Sequence, residues 1–179
     1  EPRLQAMLDP GRTPVAVANP ISADMAVMRT TLWAGLIKAV QFNQNRQQRS
    51  LRLFESGLRF LPGPDGLEQR LAVAGIACGD RAQEGWASPA AARAFFDVKG
   101  DVEALLDIDP TAAQYSFDPA APPALQPGQA VLLRREGETL GYLGALHPEL
   151  LRQLDLQGPV YLFELDFAPD GTKLPVVPD

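Results

Sequence analysis

Two side chain types able to act as a strong nucleophile or as a base near neutral pH occur once each, as Cys78 and His147. One histidine excludes a histidine cluster around a metal. One cysteine excludes an internal disulfide and a thiolate-rich metal site. Cys78 closes the apolar run Leu71-Ala72-Val73-Ala74-Gly75-Ile76-Ala77, where a thiol is buried and inert rather than reactive. His147 precedes Pro148 at the start of a short helical pattern, which suits capping or packing better than general-base work. Asp97, Asp101 and Glu103 resemble a metal set, but they surround a helix start and complement its dipole there. Glu55 and Glu164 lie in strand-like alternation, and the expectation for both is a solvent-facing side rather than a perturbed acid. Arg46, Arg49, Arg52 and Arg59 form the densest basic stretch, expected as a solvated patch rather than an RNA site. No Gly-Lys-Ser/Thr phosphate loop and no Gly-x-Gly-x-x-Gly helix start is present. Residue chemistry alone assembles no active site.

The elements that must position these groups follow from periodicity. Val15 to Ala18 reads as a short β-run closed by Asn19-Pro20. Leu32, Trp33, Leu36, Ile37 and Val40 recur at helical spacing and predict a helix over 31–45, capped by Thr30 or Thr31. Gly35 weakens that helix, which implies a close neighbour. Alternation over 51–60, a turn over 62–66 and an apolar return over 69–78 predict a hairpin. A loop around Trp86 leads to a helix from Phe95 through Val102, Leu105 and Leu106. An edge strand over 114–117, a Pro/Ala loop over 119–127 and a second hairpin (130–134 with 140–146) follow. A short helix opens at Pro148, which is tolerated in a first turn, and a last strand runs over 160–167. Hairpins dominate, so the predicted class is α+β with a mainly antiparallel sheet.

Composition bounds the partners. The 179 residues carry 16 Lys+Arg against 22 Asp+Glu, a net charge of −6, which argues against a free-standing nucleic-acid binder. Forty-six per cent hydrophobic residues describe an ordinary globular domain with enough length for one core. No apolar run is long enough for a transmembrane helix, and no signal peptide is recognisable, so no membrane role and a reducing, cytoplasmic compartment are expected. The whole chain, 1–179, reads as one domain with its core over 14–167. The tail over 168–179 reads as a linker towards a further domain.

Five separated motifs in order carry a resemblance. They are Asn19-Pro20-Ile21-Ser22 with Met28-Arg29-Thr30-Thr31-Leu32 and Gly35-Leu36; Leu53-Phe54-Glu55-Ser56-Gly57; Phe96-Asp97-Val98-Lys99-Gly100-Asp101-Val102; Gly144-Ala145-Leu146-His147-Pro148; and Phe163-Glu164-Leu165. Together, over Val15 to Phe167, they resemble the catalytic-like module of the bacterial phenylalanyl-tRNA synthetase beta subunit family. The resemblance implies a class II aminoacyl-tRNA synthetase antiparallel sheet flanked by helices, in a degenerate version that does not catalyse. Registered on Asp97-Val98-Lys99-Gly100, the ATP-binding positions of an active class II site fall on Leu61, Ala74, Gln126 and Phe167. None of these can hold a triphosphate, so no cofactor is expected for this chain, although ATP and magnesium serve the whole enzyme. The implied role is architectural, as a partner of the catalytic alpha subunit, with Trp33, Leu36, Ile37 and Val40 facing it. The tRNA would be met mainly elsewhere. The competing readings are an active class II adenylating domain and an RNA-contact domain using Arg46 to Arg59.

Overall fold

The computed structural model describes residues 2–63, 66–81, 91–108 and 114–166. The loop around Trp86, Phe167 and the tail over 168–179 lie outside them. Strand β1 (Leu51–Gly63) folds back as β2 (Gly66–Cys78), with Glu55 opposite Ala74 and Arg59 opposite Arg70. Strands β3 (Tyr115–Pro119), β4 (Leu125–Arg135), β5 (Glu138–Leu146) and β6 (Val160–Asp166) complete one sheet of order β1-β2-β6-β5-β4-β3. Every pairing is antiparallel.

The last strand in sequence therefore lies in the middle of the sheet and is buried on both sides. Its alternation sends Val160 and Leu162 to one core, and Tyr161, Phe163 and Leu165 to the other. The first core is roofed by α1 (Pro2–Leu8) and α2 (Trp33–Gln44), the second by α3 (Phe95–Leu106) with Val98 and Val102 inward. A short α4 (Pro148–Gln153) follows β5. The sheet is thus sandwiched, and each fully buried aliphatic side chain contributes about 1.5–3 kcal/mol of transfer energy.

Several expectations are corrected. The first residues form a helix, and Leu4 and Leu8 belong to the core, which therefore starts before residue 14. Seven residues were too few for a periodic pattern to stand out. Val15 to Ala18 makes only the single bridge Ala16–Val27, because the chain turns back at once through a 3-10 turn at Ala23–Met25. β4 begins at Leu125, inside the expected loop. Gly128 at positive φ and a register shift between Leu125 and Ala130 absorb Pro127. Trp33, Leu36, Ile37 and Val40, expected to face a partner, are all buried against this chain's own sheet. The apolar stripe of α2 covers that face of the sheet together with α1. No helix among the described residues is long and apolar enough to cross a membrane.

Candidate functional site

Glu164 is the residue around which the α2 face of the sheet is organised. It follows Val160 and Leu162 on the same side of β6 and is flanked in register by Ala74 on β2 and Tyr142 on β5. It is only 8% exposed. One carboxylate oxygen accepts from the Leu32 amide at 2.6 Å and the Thr31 hydroxyl at 2.9 Å. The other accepts from Arg59 Nη1 at 2.7 Å. Burial pushes this carboxyl above the ordinary glutamate range, while Arg59 and the two α2 donors pull it back.

These bonds also start the helix. Thr31 Oγ1 accepts from the Trp33 amide at 3.1 Å, and Glu164 supplies a second acceptor at Leu32. The N-cap position is Leu32 and not Thr30 or Thr31 as expected; Thr31, one residue earlier, makes a local turn bond to Trp33, and the Glu164 carboxylate takes the Leu32 amide. The Trp33 indole donates to the Phe163 carbonyl at 3.0 Å, which clamps the first turn of α2 onto β6 from a second direction. Thr30 instead donates to Asp9.

Arg59 extends the cluster. Its guanidinium, with a side chain 8% exposed, bridges Glu164 and Asp166, and its Nε is buried without a partner among the described residues. Arg70, opposite it on β2, pairs with Glu68 at 2.7 Å and reaches Asp166 at 3.8 Å. The cluster opens into a cleft of about 290 Å³. Arg12 and Asp9, paired at 3.2 Å, stand on its rim, and Trp33, Tyr142, Pro122 and Leu140 form its apolar walls. Three arginines and three carboxylates line it, so its fixed charges cancel.

The solvent-face expectation for the two glutamates is thus corrected. Glu164 sits in the core, and Glu55 is half-buried under α2, pairing with Arg29 Nη1 at 2.5 Å. A Cβ at Gly35 would lie 3.2 Å from Glu55 Oε2, which identifies the close neighbour that Gly35 implied. Arg59 likewise leaves the solvated patch to which it was assigned. Alternation alone could not distinguish these faces, because α2 roofs the side that an edge hairpin would otherwise expose. The signal available was an acid inside Phe163-Glu164-Leu165, a run otherwise fit for a doubly buried strand.

The registered positions do not meet at the cleft. Leu61 is buried on β1, Ala74 is buried on β2 between Glu55 and Glu164, and Gln126 is half-buried on β4. None of the three lines the cleft, and Phe167 lies outside the described residues. The remaining candidates have structural partners. His147 Nδ1 accepts from the Glu149 amide at 3.2 Å and caps α4. Asp97 accepts from the Ala94 amide at α3's start, Asp101 pairs with Arg52, and Glu103 pairs with Lys99. Cys78 is buried, and desolvation raises its thiol pKa. No group of three or more potential metal ligands occurs among the described residues.

Comparison with known proteins bears on this arrangement. A solved structure of Desulfitobacterium hafniense PylSc, a pyrrolysyl tRNA synthetase, superposes with a TM-score of 0.59 over 83% of this chain and 50% of that one. At 11% identity it shares the fold alone, and the sheet is of the class II synthetase type. The phenylalanine–tRNA ligase beta subunit of Pseudomonas fluorescens is 52% identical over 165 residues, covering 92% of this chain and 21% of that protein. That of Pseudomonas savastanoi pv. phaseolicola is 49% identical over 176 residues, covering 98% and 22%. That of Hahella chejuensis is 48% identical over 163 residues, covering 91% and 20%. The chain spans about a fifth of the length of these relatives. A family model described as the phenylalanyl tRNA synthetase beta chain CLM domain matches residues 1–167. The chain belongs to the family of that beta-chain domain.

Proposed function

We propose that this chain is a non-catalytic, structural module of a phenylalanine–tRNA ligase beta subunit that supports assembly with the catalytic alpha subunit. The observation that carries the reading is the internal neutralisation of the cleft on the sheet. Adenylate formation needs cations left over to meet a triphosphate and the charge developing at phosphorus. Here Arg59 is committed to Glu164 and Asp166, Arg70 to Glu68 and Asp166, and Arg12 to Asp9. The carboxylates that hold them would also repel phosphate oxygens. Leu61 and Ala74 lie outside this cleft, and the arginines that line it are already paired, which leaves none of them free to meet a triphosphate.

With α2 occupied by its own core, an apolar surface left for a partner is the far side of the β1–β2 hairpin. Phe54 is 80% exposed there, Leu58 is exposed four residues further along the same strand, and Leu67 is exposed near the hairpin end, opposite Pro62. Isolated exposed apolar residues are ordinary, but Phe54 and Leu58 on one face of β1, with Leu67 on the same face of β2, suit an assembly contact. The test is titration calorimetry with ATP and magnesium, together with co-purification on the alpha subunit. Absence of micromolar nucleotide heat and loss of co-purification in Phe54→Asp are expected. A clear micromolar heat sinks the structural reading in favour of an adenylating domain.

A further inference from the structure

The chain is acidic overall, yet its charge is unevenly placed. Between Asp24 and Glu55 no acidic residue occurs, while Arg29, Lys38, Arg46, Arg49 and Arg52 all do. The end of this stretch, the turn after α2, is also rich in amides: Asn45, Gln47 and Gln48. The residues from Asn45 to Ser50 are exposed. We propose that this turn is an RNA-contacting surface that holds backbone phosphates with Arg46, Arg49 and Arg93. The inference goes beyond the assembly role and does not depend on it.

Two features make the turn a rigid presenter rather than a loose solvated loop. Its backbone is pinned to the end of β2. Cys78 Sγ donates to the Arg49 carbonyl at 3.6 Å, and Ser50 Oγ donates to the Asp80 carbonyl at 2.7 Å. Gly79, at φ +75°, lies so close that any Cβ would strike the Arg49 carbonyl and Ser50 Cα. The Arg49 side chain, by contrast, has no ion pair among the described residues. Arg93 joins the same spot, because its Nη2 donates to the Asp80 carbonyl that Ser50 also uses, at 3.1 Å. The Arg93 Nε is buried without a partner among the described residues.

Arg46 adds a stacking element. Its guanidinium lies 3.4 Å from the ring centroid of Phe42, which is itself exposed, and donates to the Phe42 carbonyl at 3.0 Å. An exposed guanidinium held over an aromatic ring is a platform for an unstacked base, a contact typical of single-stranded RNA. The neighbouring cations are already neutralised, Arg52 by Asp101 and Arg81 by Asp97, and the Asp80 carboxylate shares the turn. Three phosphate-competent arginines remain. Their number suits a weak, salt-sensitive auxiliary grip and not a stand-alone binder.

The test is fluorescence anisotropy of the whole chain with a labelled single-stranded RNA of about 20 nucleotides, titrated between about 50 and 200 mM salt. Three contacts at about −0.7 each predict a log–log slope near −2, or an affinity loss of about 20-fold over that range. The Arg46→Gln/Arg49→Gln variant removes two contacts, so its slope falls to about −0.7 and its loss to about threefold. Arg12→Gln/Arg70→Gln, with the same charge change at the cleft, keeps the wild-type slope. Failure to bind RNA at the low-salt end overturns the proposal, as does an equal drop in both variants. Preference for polyglutamate, with the same arginine dependence, overturns it in favour of an acidic polypeptide partner. Alpha-subunit association is read separately and moves with neither outcome.

Discussion

Glu164→Gln is the sharpest perturbation of the cluster, because it changes charge and one donor while leaving shape intact. The carboxylate receives three donors, Thr31 Oγ1, the Leu32 amide and Arg59 Nη1. A glutamine offers one oxygen and an NH₂ group. If the oxygen stays with Thr31 and Leu32, the NH₂ faces the guanidinium, donor against donor. Arg59 then keeps only Asp166 as a counter-charge in a site with almost no water. Removing one partner of a buried pair costs about 3–5 kcal/mol, and the surviving Asp166 contact lowers that to about 2–4 kcal/mol, with no cavity term because the residue is isosteric. For a domain of this size about 3 kcal/mol corresponds to a drop of about 6–12 °C in Tm, and to about 1–1.5 M in the urea midpoint at an m-value of about 2–3 kcal/mol/M. Urea unfolding at neutral pH measures it. In the double variant with Arg59→Met the unpaired cation is gone, so the two losses fall short of additive by about 1–3 kcal/mol. A single-variant loss under about 1 kcal/mol, or losses that add, would refute the view that this pair organises the site.

The other expectations concern the frame around it. In Gly141→Ala the new Cβ would collide with the Glu164 carbonyl; backbone cannot give way there, so loss of more than about 3 kcal/mol or insoluble expression is expected. Gly57→Ala meets only the tip of the Arg29 side chain, which can swing out, so a loss near 1 kcal/mol or less is expected by the same melt. Burial raises the Cys78 pKa, so the native state keeps a proton that the unfolded chain releases above about pH 8.5. Stability is full below that pH and falls as pH rises towards the folded pKa, and Cys78→Ala abolishes this part of the pH dependence. Trp33→Ala should cost about 3–5 kcal/mol, whereas Phe54→Ala should stay within about 0.5 kcal/mol, as thermal melts of a buried and an exposed aromatic report.

The elements with a clean period were legible from sequence. The α2 stripe, the first hairpin, α3 with Asp97 at its start and the cap at His147 follow from spacing and residue type. What periodicity could not convey was which side of each strand would be roofed. Glu55, Arg59 and Glu164 all alternate with apolar residues. Their common face became an interior only because β6, last in sequence, inserts beside β2 and brings Glu164 under Thr31, more than 130 residues earlier. That contact is tertiary, and no local rule reaches it. The same limit explains the partner-facing reading of Trp33 and Ile37. An amphipathic helix announces that it has an apolar side, not whose surface will cover that side.

The ion pairs of the cleft fix the elements around it in a way that an apolar filling would not. Filling the cleft with leucine would bury more apolar area and remove the desolvation cost carried by Arg59 and Glu164, a substitution that buried pairs often tolerate or even gain from. The pairs do something hydrocarbon cannot: each bond has one acceptable geometry. Glu164 accepts from two successive positions at the start of α2 and from β1, so the helix start, the edge hairpin and the central strand are fixed at a single point. An apolar plug would let α2 slide or rotate by a fraction of a turn at little cost, whereas a displacement of that size here would leave Glu164, Arg59 and the Leu32 amide unsatisfied together. The result is a rigid junction of β1, β6 and the start of α2. The mark of it would be a Glu164→Leu variant, whose side chain takes no hydrogen bond, paired with Arg59→Met: near-native stability, yet faster amide exchange at the start of α2 than in the parent.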